Sequence, residues 1–232
     1  MKLSKAHVVI IGGSSGMGLA TAKLAKELGA SITIVSRSAD KLHYAKELLG
    51  DTQTEVADIS READMDGLFS KMERIDHVFV SAGRYIGGNI VDTDLQELKA
   101  DMEQHFWGAI YVVRNAIPRM KQGSFTFLSG IYGSRPVAGA VGAAATLAAV
   151  ETLVKGLALE LAPIRFNALA PGVVDTPILG EYRDEVVKWA EATLPVKRLG
   201  MAEEVAEAAI LLMQNEYITG EVLHIDGGGR YV

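Results

Sequence analysis

Cysteine is absent from this chain of 232 residues, which excludes disulfides, thiolate nucleophiles and cysteine-ligated zinc sites. No metal site is expected, and a reducing, cytoplasmic setting is the expected one. Basic residues are not in excess: the formal charge is -6 and the sequence pI about 5.4, so the electropositive footprint that nucleic acid requires is missing. Proline is scarce, at 6 residues, and charged residues make up only 22%, a balance that fits an ordered α/β protein and not a disordered one. Long apolar runs are also lacking. The run His7 to Ile11 is too short for a signal core or a span, and the apolar stretch Gly139 to Val150 leads directly into Glu151 and Lys155, so no membrane association is expected.

What the sequence does contain is an alternation of short β-rich runs with helical patterns. Seven candidate strands run Val8 to Ile11, Ser31 to Val35, Thr54 to Ala57, His77 to Val80, Phe125 to Leu128, Ile164 to Leu169 and Val222 to Ile225. Between them lie helical stretches such as Leu19 to Leu28, Ala39 to Leu49, Arg61 to Met72 and Leu95 to Met120, each long enough to cross over a sheet. This pattern predicts a single α/β domain over residues 1–232, a Rossmann-type doubly wound sheet of about seven parallel strands with helices on both faces. Ligands of such sheets sit beyond the strand C-termini where the strand order reverses, here the ends of the first, fourth and fifth strands. A lid-like segment is expected at about 175–199, with a short helix around Asp184 to Ala192.

Directly after the first strand comes Gly12-Gly13-Ser14-Ser15-Gly16-Met17-Gly18, and a helix follows. Glycines there permit a tight turn and close approach of backbone to a pyrophosphate, whose charge the helix N-terminus stabilises. Gly12, Ser14, Ser15, Gly16, Met17 and Gly18 are therefore the expected phosphate-binding residues. The second strand ends in Ser36-Arg37-Ser38. An acidic residue there would accept the ribose hydroxyls of NAD, whereas Arg37 between two hydroxyls suits the 2'-phosphate of NADP(H), the expected cofactor.

The spacing of Gly12, Gly16 and Gly18 resembles the TGxxxGxG turn of short-chain dehydrogenases/reductases, with Ile11 in place of Thr and Ser36 where NAD-selective members carry Asp. Further similarity extends over nearly the whole chain. Asp58 in Val56-Ala57-Asp58-Ile59 resembles the acid that bonds the adenine amino group, and Ser81-Ala82-Gly83 the end of an Asn-Asn-Ala-Gly motif. The run Arg165 to Thr176 resembles the family's sixth strand and Pro-Gly turn, and Pro195 to Gly200 and Tyr217 to Gly228 match as well. The resemblance implies that Ile59, Ser81, Ala82, Gly83, Pro171, Gly172, Val174 and Thr176 line the dinucleotide, with the Val174 backbone and the Thr176 hydroxyl holding the carboxamide.

The family's usual proton donor is a Tyr with a Lys four residues later, assisted by a Ser and an upstream Asn. In the register that the resemblance implies, those four places hold Ala143, Leu147, Gly130 and His105. No tyrosine of the chain, Tyr85 included, has a lysine four residues on, and the wider spacing of enoyl reductases fails too. Two candidates remain: His105, because an imidazole titrates near neutral pH, and Ser129, which stands beside the usual Ser position. Tyr132 and Arg135 on the next loop are read as solvated.

The expectation is an NADP(H)-dependent oxidoreductase with a non-standard active site, reducing a carbonyl or an activated alkene; the alternative is a non-catalytic NADP(H)-binding sensor or partner subunit. Ala143 and Leu147 predict a roomy, apolar pocket and hence a bulky or apolar small-molecule substrate. The small-residue surface of the helix Ala143 to Leu161 predicts a homodimer or homotetramer.

Overall fold

The computed structural model describes residues 2–84 and 86–232; Met1 and Tyr85 lie outside them. In chain order, β1 (His7–Ile11), α1 (Gly16–Glu27), β2 (Ser31–Ser36), α2 (Ala39–Leu49), β3 (Gln53–Val56), α3 (Glu62–Ser70) and β4 (His77–Val80) form the first half. The second half comprises α4 (Leu95–Met102), α5 (Gly108–Ala116), β5 (Ser124–Leu128), α6 (Val141–Glu160), β6 (Arg165–Pro171), β7 (Val174–Asp175), α7 (Arg183–Thr193), β8 (Gly200–Met201), α8 (Ala202–Gln214) and β9 (Val222–Ile225).

Seven strands build one parallel sheet in the order β3-β2-β1-β4-β5-β6-β9. The order reverses between β1 and β4, so their C-terminal ends diverge and leave a crevice. Each expected strand is present, displaced by at most a few residues. Because side chains alternate along a strand, β1 feeds both faces: Val9 and Ile11 pack with α3, α5 and α6, while Val8 and Ile10 pack with α1, α2 and α8. On the first face Phe125, Phe127 and Phe166 are buried, with the Phe125 and Phe166 rings stacked at 4.8 Å between centroids. Burying one such ring stabilises the fold by about 2–3 kcal/mol. The opposite face closes through α1 and α8, whose contact rests on Ala22, Ala25, Val205 and Ala209.

Two departures from the expected elements matter for the site. The stretch Leu95 to Met120, read as one helix, is broken by a π-helical turn at Glu103–Trp107 and ends in a short 3-10 turn containing Pro118. Hydrophobic periodicity does not report a single widened turn, and such turns concentrate at functional sites. The segment from Pro171 to Gly200 is more structured than expected. Here β7 pairs with β8, and between them a 3-10 turn (Pro177–Tyr182) and α7 form a flap with its own small core of Ala190, Leu194 and Leu199.

The flap is anchored by two ion pairs. Arg183 donates from Nε and Nη2 to both carboxylate oxygens of Asp175, at 2.8 and 2.5 Å, and holds that carboxyl below its usual range. Glu204 accepts from Arg198 at 2.6 Å and from the Met201 backbone at 2.8 Å, which pulls its carboxyl down to about 2.

Helix α6 satisfies the length and apolarity of a membrane span, although the sequence reading discounted this region. Its Val150 and Val154 are nonetheless in the main core, and the helix packs on β6. Its outer face carries exposed Leu159 and Lys155.

Candidate functional site

A cleft of about 930 Å³ opens at the C-terminal edge of the sheet and is walled by the segments that follow β1, β2, β3, β4, β5 and β6, together with the flap. Its floor is the glycine turn. Gly12 has φ +89° and Gly16 φ +50°, a region that side-chain-bearing residues rarely adopt. A Cβ on Gly12 would lie 2.6 Å from the Ala82 amide nitrogen, and one on Gly18 would lie 2.2 Å from the Gly12 carbonyl oxygen. The turn is thus as tight as backbone allows, and it leads straight into α1, whose first amides are the anion-binding end of that helix. Ser81 fixes the turn from the side by donating its hydroxyl to the Ile11 and Gly12 carbonyls at 3.2 and 3.3 Å.

At the β2 end, Ser36, Arg37 and Ser38 all line the cleft. The Ser38 hydroxyl caps α2 by accepting from the Lys41 amide at 3.3 Å. That cap brings Lys41 onto the same wall, a cation that the sequence reading missed because it belongs to the first turn of α2 and not to the strand end. Arg37 is 62% exposed, and its nearest acid is Asp58 at 3.8 Å. Asp58 itself is absent from the cleft wall, to which its neighbours Ala57 and Ile59 contribute. Its carboxylate accepts from the Ser60 amide and hydroxyl at 3.0 and 2.7 Å, so the expected bond to a ligand has local competition.

The middle of the cleft is formed by Ser81, Ala82 and Gly83 on one side and by Pro171, Gly172, Val174 and Thr176 on the other. Thr176 approaches the glycine turn: a Cβ on Gly16 would meet its Cγ2 at 3.3 Å. Above them, Ile178, Leu179, Tyr182, Val186 and Trp189 project from the flap. Of these, only the presence of a lid was legible in the sequence; which flap residues face inward depends on how the flap folds back.

At the deep end, Ala143, Leu147 and Gly130 all line the cleft, and a Cβ on Gly130 would touch Leu147 Cδ1 at 3.3 Å. The stretch of wall that these three residues form carries no polar side-chain atom. Ser129 also reaches the wall, where its hydroxyl donates to Glu151 Oε1 at 2.8 Å in a buried pair, a partner with which a substrate oxygen would compete. Glu151 gave no sequence signal, since its role depends on which face of α6 meets β6 and the turn after β5.

His105 stands in the π-helical turn, 11% exposed, with its ring on the cleft wall beside Gln104 and Asp101. Its Nε2 points at Gly83, where a Cβ would come within 2.3 Å. The site therefore joins an anion-binding turn, a cationic pocket, an apolar chamber and one imidazole.

Residues 12–229 match a family model described as enoyl-(acyl carrier protein) reductase. The chain is 33% identical to a short-chain dehydrogenase/reductase, ATR9, of Stachybotrys chlorohalonatus, over 95% of each chain. It is 28% identical to the 3-oxoacyl-[acyl-carrier-protein] reductase of Bos taurus, over 94% of this chain and 95% of the relative. Among solved structures, a small-chain dehydrogenase in complex with NADPH superposes with a TM-score of 0.87 at 32% identity, covering 99% of this chain and all of the other. Sheet order, glycine turn and these likenesses converge: the chain belongs to the short-chain dehydrogenase/reductase family, whose members are oxidoreductases.

Proposed function

We propose that this protein is an NADP(H)-dependent oxidoreductase with a non-standard active site, which reduces a carbonyl or an activated alkene on a bulky, apolar small molecule. The carrying observation is the continuity of one cleft from the glycine turn to an aliphatic chamber that contains His105. Gly12, Ser14, Ser15, Gly16, Met17 and Gly18 hold the pyrophosphate; Ser36, Arg37, Ser38 and Lys41 hold the 2'-phosphate; Ala57 and Ile59 flank the adenine, with Asp58 behind them. Ser81, Ala82 and Gly83, and Pro171, Gly172, Val174 and Thr176, enclose the nicotinamide half. Similarity to a relative solved with NADPH supports the choice of dinucleotide. When bound, the reduced nicotinamide supplies a hydride.

This chain's contribution is to align the acceptor, to exclude water with the flap and to deliver a proton from His105 to the oxygen that gains charge. The flap's Ile178, Leu179 and Trp189, with Ala143 and Leu147, select an apolar acceptor. The protein is proposed to work in the cytoplasm as a homodimer or homotetramer, using the outer face of α6.

A second reading, a non-catalytic NADP(H)-binding sensor or partner subunit, is favoured by one observation, the aliphatic Ala143 and Leu147. Purified protein with NADPH and a panel of ketones, aldehydes, quinones and enones separates the two. Loss of the NADPH absorbance with any acceptor is expected; tight NADPH binding with no oxidation across the panel overturns the enzymatic reading.

A further inference from the structure

Asp101 is a buried carboxylate, its side chain only 3% exposed, one turn before His105 on the broken α4–α5 helix. A buried charge is tolerated only with partners, and its ion-pair partner among the described residues is His105. The imidazole Nδ1 lies 3.0 Å from the Asp101 carbonyl oxygen and 3.2 Å from its Oδ1. Both are acceptors, so Nδ1 must carry hydrogen. The other nitrogen, Nε2, has no hydrogen bond to a described residue and faces the cleft through the gap that Gly83 leaves. The π-helical turn gives His105 a position that a regular helix would not, because it inserts an extra residue into the turn that carries the ring.

We propose that Asp101 is a positioning residue for His105: it commits the ring to the Nδ1–H tautomer and presents Nε2 to the cleft as the atom that exchanges a proton with the ligand. This rests on the oxidoreductase reading above. In reduction, the substrate oxygen that becomes an alkoxide as its carbon accepts hydride takes the proton from Nε2 of the imidazolium. The ring is left neutral with its Nδ1 proton still directed at Asp101, and solvent water restores the lost proton. In the oxidative direction the bare Nε2 removes the alcohol proton. The pair thereby fills the functional gap at Ala143 and Leu147 from a different helix, which packs against α6.

The test reads the ring directly. Protein labelled with nitrogen-15 histidine, with the His105 signals assigned through His105→Gln, is examined by long-range proton–nitrogen correlation in the wild type and in Asp101→Asn. The Nδ1–H pattern is expected in the wild type and a mixture with the Nε2–H form in Asp101→Asn. With NADPH and phenanthrenequinone as the probe, Asp101→Asn is expected to lower kcat about 10- to 100-fold while KM and the NADPH Kd stay within about threefold. An Nε2–H ring in the wild type, which requires no variant to fold, overturns the proposal. So does an Asp101→Asn protein with unchanged spectrum and kcat. A wild type that oxidises no NADPH, yet shows the expected tautomer and its loss in Asp101→Asn, defeats the oxidoreductase reading and leaves the positioning of the ring intact.

Discussion

The two ends of the parallel sheet are built from the same strands and are opposites in polar bookkeeping. At the N-terminal edge the polar groups are answered mainly by the chain. Asp76 accepts from the His7 amide at 2.9 Å and from Arg74 Nη2 at 2.7 Å, and His7 itself bonds the Arg74 carbonyl and the Thr33 hydroxyl. Arg165 donates to the Leu212, Met213 and Ile218 carbonyls. At the C-terminal edge the strands end in glycine turns, Arg37 and Lys41 face a cleft, and Nε2 of His105 has no bond to a described residue. An edge that satisfies itself is structural; one that leaves cations and amides turned outward is built to be completed by a ligand.

This contrast can be broken most forcefully at the glycine turn. Gly18→Ala forces a Cβ to within 2.2 Å of the Gly12 carbonyl, and a loss of NADPH affinity on the order of 100-fold or more is expected, measured by titration of NADPH fluorescence. An unchanged Kd would mean that the turn does not touch the dinucleotide.

The sealed edge gives the next effect. Burial, reinforced by the Arg165 charge and partly opposed by Asp76, pushes the His77 imidazole from 6.5 down to about 4; its Nδ1 bonds Ser124, and its Nε2 is buried with no partner among the described residues. A histidine lowered on folding leaves stability fully present above pH 6.5, and that stability is lost as the pH falls toward 4. The loss approaches about 3 kcal/mol. Urea denaturation across that window should show the slope in the wild type and a flatter profile in His77→Gln.

At the open edge again, Arg37→Ala should weaken NADPH by about 10- to 30-fold through lost charged hydrogen bonds and leave NADH binding unchanged. Equal losses for both would remove the 2'-phosphate assignment. Smallest is Ser38→Ala, which deletes the α2 cap seen at 3.3 Å and should cost about 0.5–1 kcal/mol, read as a small fall in Tm.

The same division explains what could be read in advance. Strand runs and the glycine turn are local patterns, and each was legible because its signal lies within a few neighbouring residues. The bond from Ser129 to Glu151 was not legible, because its partner is 22 positions away and reaches it only once α6 lies on β6 and on the turn after β5. Asp101 went unnoticed for a subtler reason: a helical Asp four residues before a His is commonplace, and only burial of both, beside a widened turn, gives the pair meaning. Inward-facing flap residues such as Tyr182 and Trp189 depend on a long excursion folding back, which no periodicity encodes.

That excursion leaves and rejoins the molecule at one point, because β7 and β8 pair at Val174 with Gly200 and at Asp175 with Met201. A loop whose two ends are clamped side by side can change in length or composition without disturbing the register of the main sheet, and lengthening it carries only a slowly growing entropic cost. The cap over the chamber is accordingly a replaceable cassette. Ligand selectivity can drift there while the dinucleotide half of the domain stays as it is.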